Sequence, residues 1–161
     1  MAHELQKKIH DVSFFLAALA HGAEKHIGRG TTAVCSLAGK KFGKEAVENV
    51  KETEDPFEAV EILRDALAER GILWDFRAFE GDEGKILEED GKRKIRLVFK
   101  TCMVRNCLFT YAHEQKQSLC YMAHGVFAGA MEKVMHKHKV NLEIIHAGPN
   151  ACLKELIWEE K

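Results

Sequence analysis

Apolar residues in the first third of the chain recur every three or four positions, the period of a helix with one water-avoiding face. Leu5, Ile9, Val12, Leu16 and Leu19 mark that face in a first helix. Gly28-Arg29-Gly30 breaks the run. Thr31 or Thr32 is placed to cap a second helix, which uses Val34, Leu37, Phe42, Ala46 and Val50. A third helix opens at "DPFE" (55–58). There Asp55 can accept from a free backbone N–H, Pro56 suits the first helical position, and Glu58 completes a capping-box-like pair. The pattern predicts that this helix runs to Arg70 and stops at Gly71.

The period then shortens to two. Trp74, Phe76 and Ala78 share one side of 72–80, while Ile95, Leu97 and Phe99 alternate with Lys94, Arg96 and Lys100, the mark of a half-buried strand. Asp90-Gly91 just before it is a hairpin turn signal. Residues 102–110 read as a further strand. Residues 118–137 return to helical spacing, capped by Ser118 and striped by Leu119, Met122, Ala123, Val126, Phe127, Ala130 and Val134. The stretch "NLEIIHAGPNACLKELIW" (141–158) reads as two strands around a bend. Helices first, then hairpin strands with one late helix, predict an α+β fold with helices packed on an antiparallel β-sheet. With no linker or repeat, residues 1–161 read as one domain.

Composition narrows the function. The chain is 30% charged and 46% apolar with a formal charge of −1, so neither disorder nor an electrostatic footprint for nucleic acid is indicated. No stretch reaches the roughly 20 apolar residues of a membrane span. Acidic Glu4 and Asp11 in the helically spaced start argue for a folded helix over a signal peptide, which places the protein in the cytoplasm. Five cysteines is an odd number without a disulfide-framework spacing, so thiols point to metal, chemistry or core.

Four residues can bind a soft or borderline cation. Cys120 sits in the first turn of the late helix, where the dipole favours a thiolate, and Glu143, His146 and Cys152 surround the final bend. Two sulfurs, an imidazole and a carboxylate suit tetrahedral zinc. Glu143 and His146 are an odd number apart, so a regular strand would send them to opposite faces; sharing an ion requires a bulge before His146. Each has a plainer reading: Cys120 and Cys152 as core thiols, Glu143 and His146 as solvated side chains. Cys35, Cys102 and Cys107 read as core or strand-face thiols. Gly28 and Gly30 lack the preceding strand and third glycine of a dinucleotide loop.

Cys120, Gly125 and Gly129 (C-x4-G-x3-G), then the Glu143-x-x-His146 strand and a closing Cys152, make residues 118–158 resemble the 4-vinyl-reductase domain family. The resemblance implies a zinc site to which Cys120, Glu143 and Cys152 carry over, with His146 in place of a family cysteine. It also implies a fold like the vesicle-transport tethering-complex (TRAPP) subunits, often a homodimer. The expected function is a zinc-containing domain that binds an apolar or aromatic small molecule, sensory or regulatory, with the metal structural. Four protein ligands leave no open position for catalysis. The alternatives are a reductase or accessory factor in tetrapyrrole-type vinyl reduction, and a scaffold or assembly subunit. An apolar pocket is expected between helices and sheet, around Trp74, Phe76, His124 and Phe127, with Phe14, Phe15, Phe79, Phe99 and Phe109 as further raw material.

Overall fold

The computed structural model describes residues 2–79, 81, 85–102, 104, 117–148 and 150–160. The strand expected over 102–110, with Cys107 and Phe109, lies largely outside these residues. Among the described residues, four helices pack on a five-stranded antiparallel sheet. In chain order they are α1 (Ala2–Ile27), α2 (Arg29–Ala46), α3 (Pro56–Glu69), β1 (Asp75–Ala78), β2 (Leu87–Glu89), β3 (Lys92–Thr101), α4 (Ser118–Val134), β4 (His138–Ala147) and β5 (Cys152–Glu160). The α+β expectation is met.

The sheet runs β1-β3-β5-β4, with β2 also on β3, so β4 forms one edge. Alternation decides its two faces. Ile95, Leu97 and Phe99 of β3 stand beside Leu156, Lys154 and Cys152 of β5 on the face under the helices. Arg96 and Lys94 stand beside Glu155 and Ile157 on the outer face, where Glu155 accepts ion pairs from both cations. The Asp90-Gly91 turn has φ of 51° and 73°, the two positive values that a tight hairpin with native twist needs.

Helix starts show what local spacing reads well and badly. Asp55 accepts from the Phe57 N–H at 2.9 Å with Pro56 opening α3, as expected, and Gly71 (φ 77°) ends that helix. Glu58 pairs with the Thr53 hydroxyl. Thr31, by contrast, does not cap α2. Gly28 takes that place with φ 65°, and the Thr31 hydroxyl donates back to the Ala23 carbonyl at 2.9 Å. Ser118 is already inside α4, preceded by Gln117 as N-cap. Its backbone N–H donates to the Glu24 carboxylate of α1 at 2.8 Å, and its hydroxyl meets the same oxygen. A carboxylate from another helix therefore does the capping, well placed against the positive helix end.

Helix α4 lies on the sheet and α2 lies on α4 without a side-chain layer between them. A Cβ on Gly39 or Gly43 would fall well inside 3.0 Å of the Met122 or Val126 carbonyl, and one on Gly125 or Gly129 would strike Ser36 or Lys40 backbone. Two Gly-x3-Gly rows thus face each other, backbone on backbone.

The apolar face of α1 is the main departure. Leu5, Ile9, Val12 and Leu19 are between 57% and 67% exposed. Among the described residues, α1 packs on the core through Leu16, Ala17 and Ala20, and these four side chains lie off that side. Among the described residues, no helix is long and apolar enough to cross a membrane.

Candidate functional site

Tyr121, His124, Gly125, Ala128 and Glu132 recur at steps of three and four, so they share one face of α4. Opposite them stand the helix-side residues of the edge strand, Val140, Leu142 and Ile144, with Trp158 of the neighbouring strand. Ser36 and Lys40 of α2 close the top. These walls border an open cleft of about 610 Å³ that reaches the sheet edge at Asn141 and Glu143, within the roughly 300–1,000 Å³ range of small-molecule sites. Val140, Leu142 and Trp158 give it an apolar part, and Lys92, Lys139, Asn141, Glu143 and Glu159 a polar one of about equal extent. The rim carries an ion-pair group: Lys40 Nζ is 2.6 Å and Lys44 Nζ 3.6 Å from the carboxylate of Glu132, whose side chain is only 8% exposed.

His124 supplies the polar feature of the wall. It is 7% exposed, and its Nε2 has no hydrogen-bond partner among the described residues. Burial, and secondarily the Lys154 ammonium, hold its pKa down from 6.5 to about 3. At neutral pH the ring is therefore an uncharged imidazole, with one N–H and one lone pair divided between its nitrogens. Tyr121 lies beside it, ring centroids 5.6 Å apart. Lys154 is itself buried, its ammonium 4.3 Å from the centroid of the Phe99 ring.

The other aromatic residues expected at a pocket pack with one another. Phe76, Phe99 and Phe127 form a closed trio with centroids 4.8 to 5.3 Å apart. Trp74 is 8% exposed and its Nε1 lacks a partner among the described residues. Of the four named pocket residues, His124 is the one that lines the cleft. Sequence reasoning missed Trp158, Ser36, Lys40 and Glu132. Glu132 had a signal: it lies eight residues after His124 and four after Ala128, on one stripe of an otherwise apolar helix.

The zinc residues divide between two sides of the sheet. The bulge required before His146 is present, as a register shift between Ile144 and His146. It does place His146, opposite Leu153, on the same face as Glu143, opposite Glu155. That is the outer face, whereas Cys152 stands opposite Phe99 on the helix side, where both Cys152 and Cys120 pack against the core. Glu143 and His146 are exposed, and Glu143 accepts from the Asn141 amide at 3.0 Å. Among the described residues, no group of three or more His, Cys, Asp or Glu side chains is arranged to hold a metal ion. In this arrangement the donor set does not fit a zinc ion. Elemental analysis of chelator-free protein is expected to give well under one zinc per chain; a full equivalent would require the bend to repack. Cys35 and Cys102 are half-buried, and burial raises the Cys35 thiol pKa.

No protein-family model matches the sequence, and no curated protein matches it. Solved structures do share the fold. The phenol-responsive sensory domain of the transcription activator PoxR, crystallised with phenol, is similar at TM-score 0.58 and 12% identity, over 91% of this chain and 74% of that one. A trafficking protein particle complex subunit 3 from Naegleria fowleri, covalently bound to palmitic acid, is similar at TM-score 0.53 and 15% identity, over 94% and 97%. At such identities the likeness establishes the architecture, which agrees with the fold implied by the 4-vinyl-reductase resemblance.

Proposed function

We propose that this chain is a small-molecule-binding domain of the 4-vinyl-reductase type, sensory or regulatory in role, with the cleft between α4 and β4 as its ligand site. The observation that carries the reading is the cleft of mixed polar and apolar lining, walled by a buried, neutral His124 whose Nε2 lacks a partner among the described residues. An unpaired polar atom costs about 1–3 kcal/mol when dry. A bound molecule with one hydroxyl or carbonyl would satisfy it while its apolar part rests on Val140, Leu142 and Trp158. Proteins of the same fold that hold phenol and palmitic acid support an apolar or aromatic ligand.

Trp158 makes the test direct, because it lines the cleft and is one of two tryptophans. In a Trp74→Phe background, titration with phenol, longer alkylphenols and palmitic acid should give a saturable change in Trp158 fluorescence for at least one probe. The same probe should raise the melting temperature. Ala128→Leu, which fills the cleft with methyl groups, should weaken binding about tenfold or more. A flat response to all three probes up to millimolar concentration, with no molecule retained in native mass spectrometry, would overturn the reading.

A further inference from the structure

Among the described residues β4 pairs with β5 on one side and with no strand on the other. Neighbouring residues of a strand turn their backbone groups to alternate sides. The Leu142 N–H donates to the side-chain oxygen of Asn141 at 2.9 Å, so residue 142 turns its N–H and C=O away from β5. Val140 and Ile144, two positions to either side and ahead of the bulge, do the same. Their backbone groups have no partner among the described residues. Proteins blunt such an edge with a lysine, a proline, a bulge or a charge turned inward. Here these devices stand at the ends, with Lys139 before the stretch and the register shift after Ile144 beyond it. Between them the pairing is regular, and Val140 and Leu142 are buried on the helix side. The cleft follows this stretch. It is lined by every residue from 139 to 144, those facing the helices and those facing out, so it wraps the edge itself. His124 and Ala128 of α4 stand across it, with Ser36 and Lys40 of α2 above.

We propose that the β4 edge, over residues 140–144, docks an extended segment of another protein, which adds to the sheet as a further antiparallel strand. Asn141 points to that occupant. Its carboxamide oxygen already fills the acceptor position at the Leu142 N–H that a neighbouring strand would supply, and an incoming backbone carbonyl takes its place. Antiparallel pairing is the more stable kind and continues the pattern of the rest of the sheet. The flanking side chains set the sequence of the segment. Toward the helices it places apolar residues beside Val140, Leu142 and Ile144, closing the open side of the cleft. On the outer face Glu143 meets no cation among the described residues, only the Asn141 amide at 3.0 Å. It stands opposite Glu155, so a lysine or arginine at the facing position of the segment is favoured. The pairing runs along the β4 backbone and needs no bound small molecule, so it stands or falls apart from the ligand reading.

The test uses the full chain and a short labelled peptide with valine opposite residues 140, 142 and 144, threonine opposite 141 and lysine opposite Glu143. Fluorescence anisotropy should saturate at micromolar concentration. Amide exchange should gain protection at Val140 and Ile144 and hold it at Leu142, while Asn141 and Glu143, already turned to β5, change little. N-methylation of the peptide residue facing Leu142 removes its donor to the Leu142 carbonyl and should weaken binding about tenfold or more. N-methylation opposite Asn141, where the peptide N–H points away from β4, should change it by less than about twofold. Glu143→Lys should weaken binding about threefold, and glutamate in place of the peptide lysine should restore it. No saturation up to millimolar peptide would overturn the proposal. So would equal losses from the two methylations, or protection of these amides without peptide through pairing of two β4 edges.

Discussion

Gly43→Ala should destabilise the fold by about 3 kcal/mol, at the top of the usual cost of overpacking. Helix propensity alone predicts the opposite sign, since alanine in place of a helical glycine contributes about 1 kcal/mol. The contact geometry decides the matter. A methyl group at 43 would lie inside 3.0 Å of the Val126 carbonyl oxygen, close to Val126 carbon and the Ala130 nitrogen as well. These are backbone atoms of a helix pressed against the sheet, so no side-chain rotation can make room. The helices must part, and every interdigitated contact along them loosens. Gly22→Ala is the matched control, because nothing lies within 4 Å of a Cβ there; it should stabilise by roughly 0.5–1 kcal/mol. Urea unfolding of the two variants reads both signs. If Gly43→Ala is as stable as wild type, the backbone contact does not exist.

Acid should weaken the protein through His124. Its pKa is 6.5 in the unfolded chain and about 3 in the fold, so the unfolded state takes up a proton first. The native state keeps its full stability above pH 6.5 and loses it as pH falls toward 3, at up to about 1.4 kcal/mol per pH unit. The ammonium of Lys154, from β5, opposes protonation of the ring and so gives no relief. In His124→Gln, which cannot titrate, that part of the slope should vanish. Urea midpoints of both proteins, compared from neutral pH down through the acid range, measure it. Parallel curves would show that the imidazole is hydrated or already charged.

How much of this was readable follows the range of each interaction. Strand alternation over 92–100, the Asp90-Gly91 turn and the Asp55–Pro56 start are settled by neighbours in sequence, and all are seen in the structure. Ser118 shows the limit: its spacing resembles a cap, but Glu24, 94 residues away, takes the role. The glycine spacing at 125 and 129 was visible, while its match with Gly39 and Gly43 needed the partner helix. The bend before His146 was legible as a requirement. The face onto which it turned the imidazole was set by pairing with Leu153, which no local pattern carries. Likewise His124 was placed near a pocket, but the opposite wall came from the sheet order that makes β4 an edge.

The interlocked glycine rows have a mechanical consequence. Helices separated by side chains can slide by small rotamer adjustments; helices keyed together by their main chains cannot. The pair α2–α4 must travel as one stiff plate, carrying the upper wall of the cleft with it. Any widening or narrowing around a guest then falls to the β4–β5 hairpin, which is held on a single flank and is already kinked at Ile145. Amide exchange in an occupied and an empty protein should accordingly differ along that hairpin and stay the same across the plate.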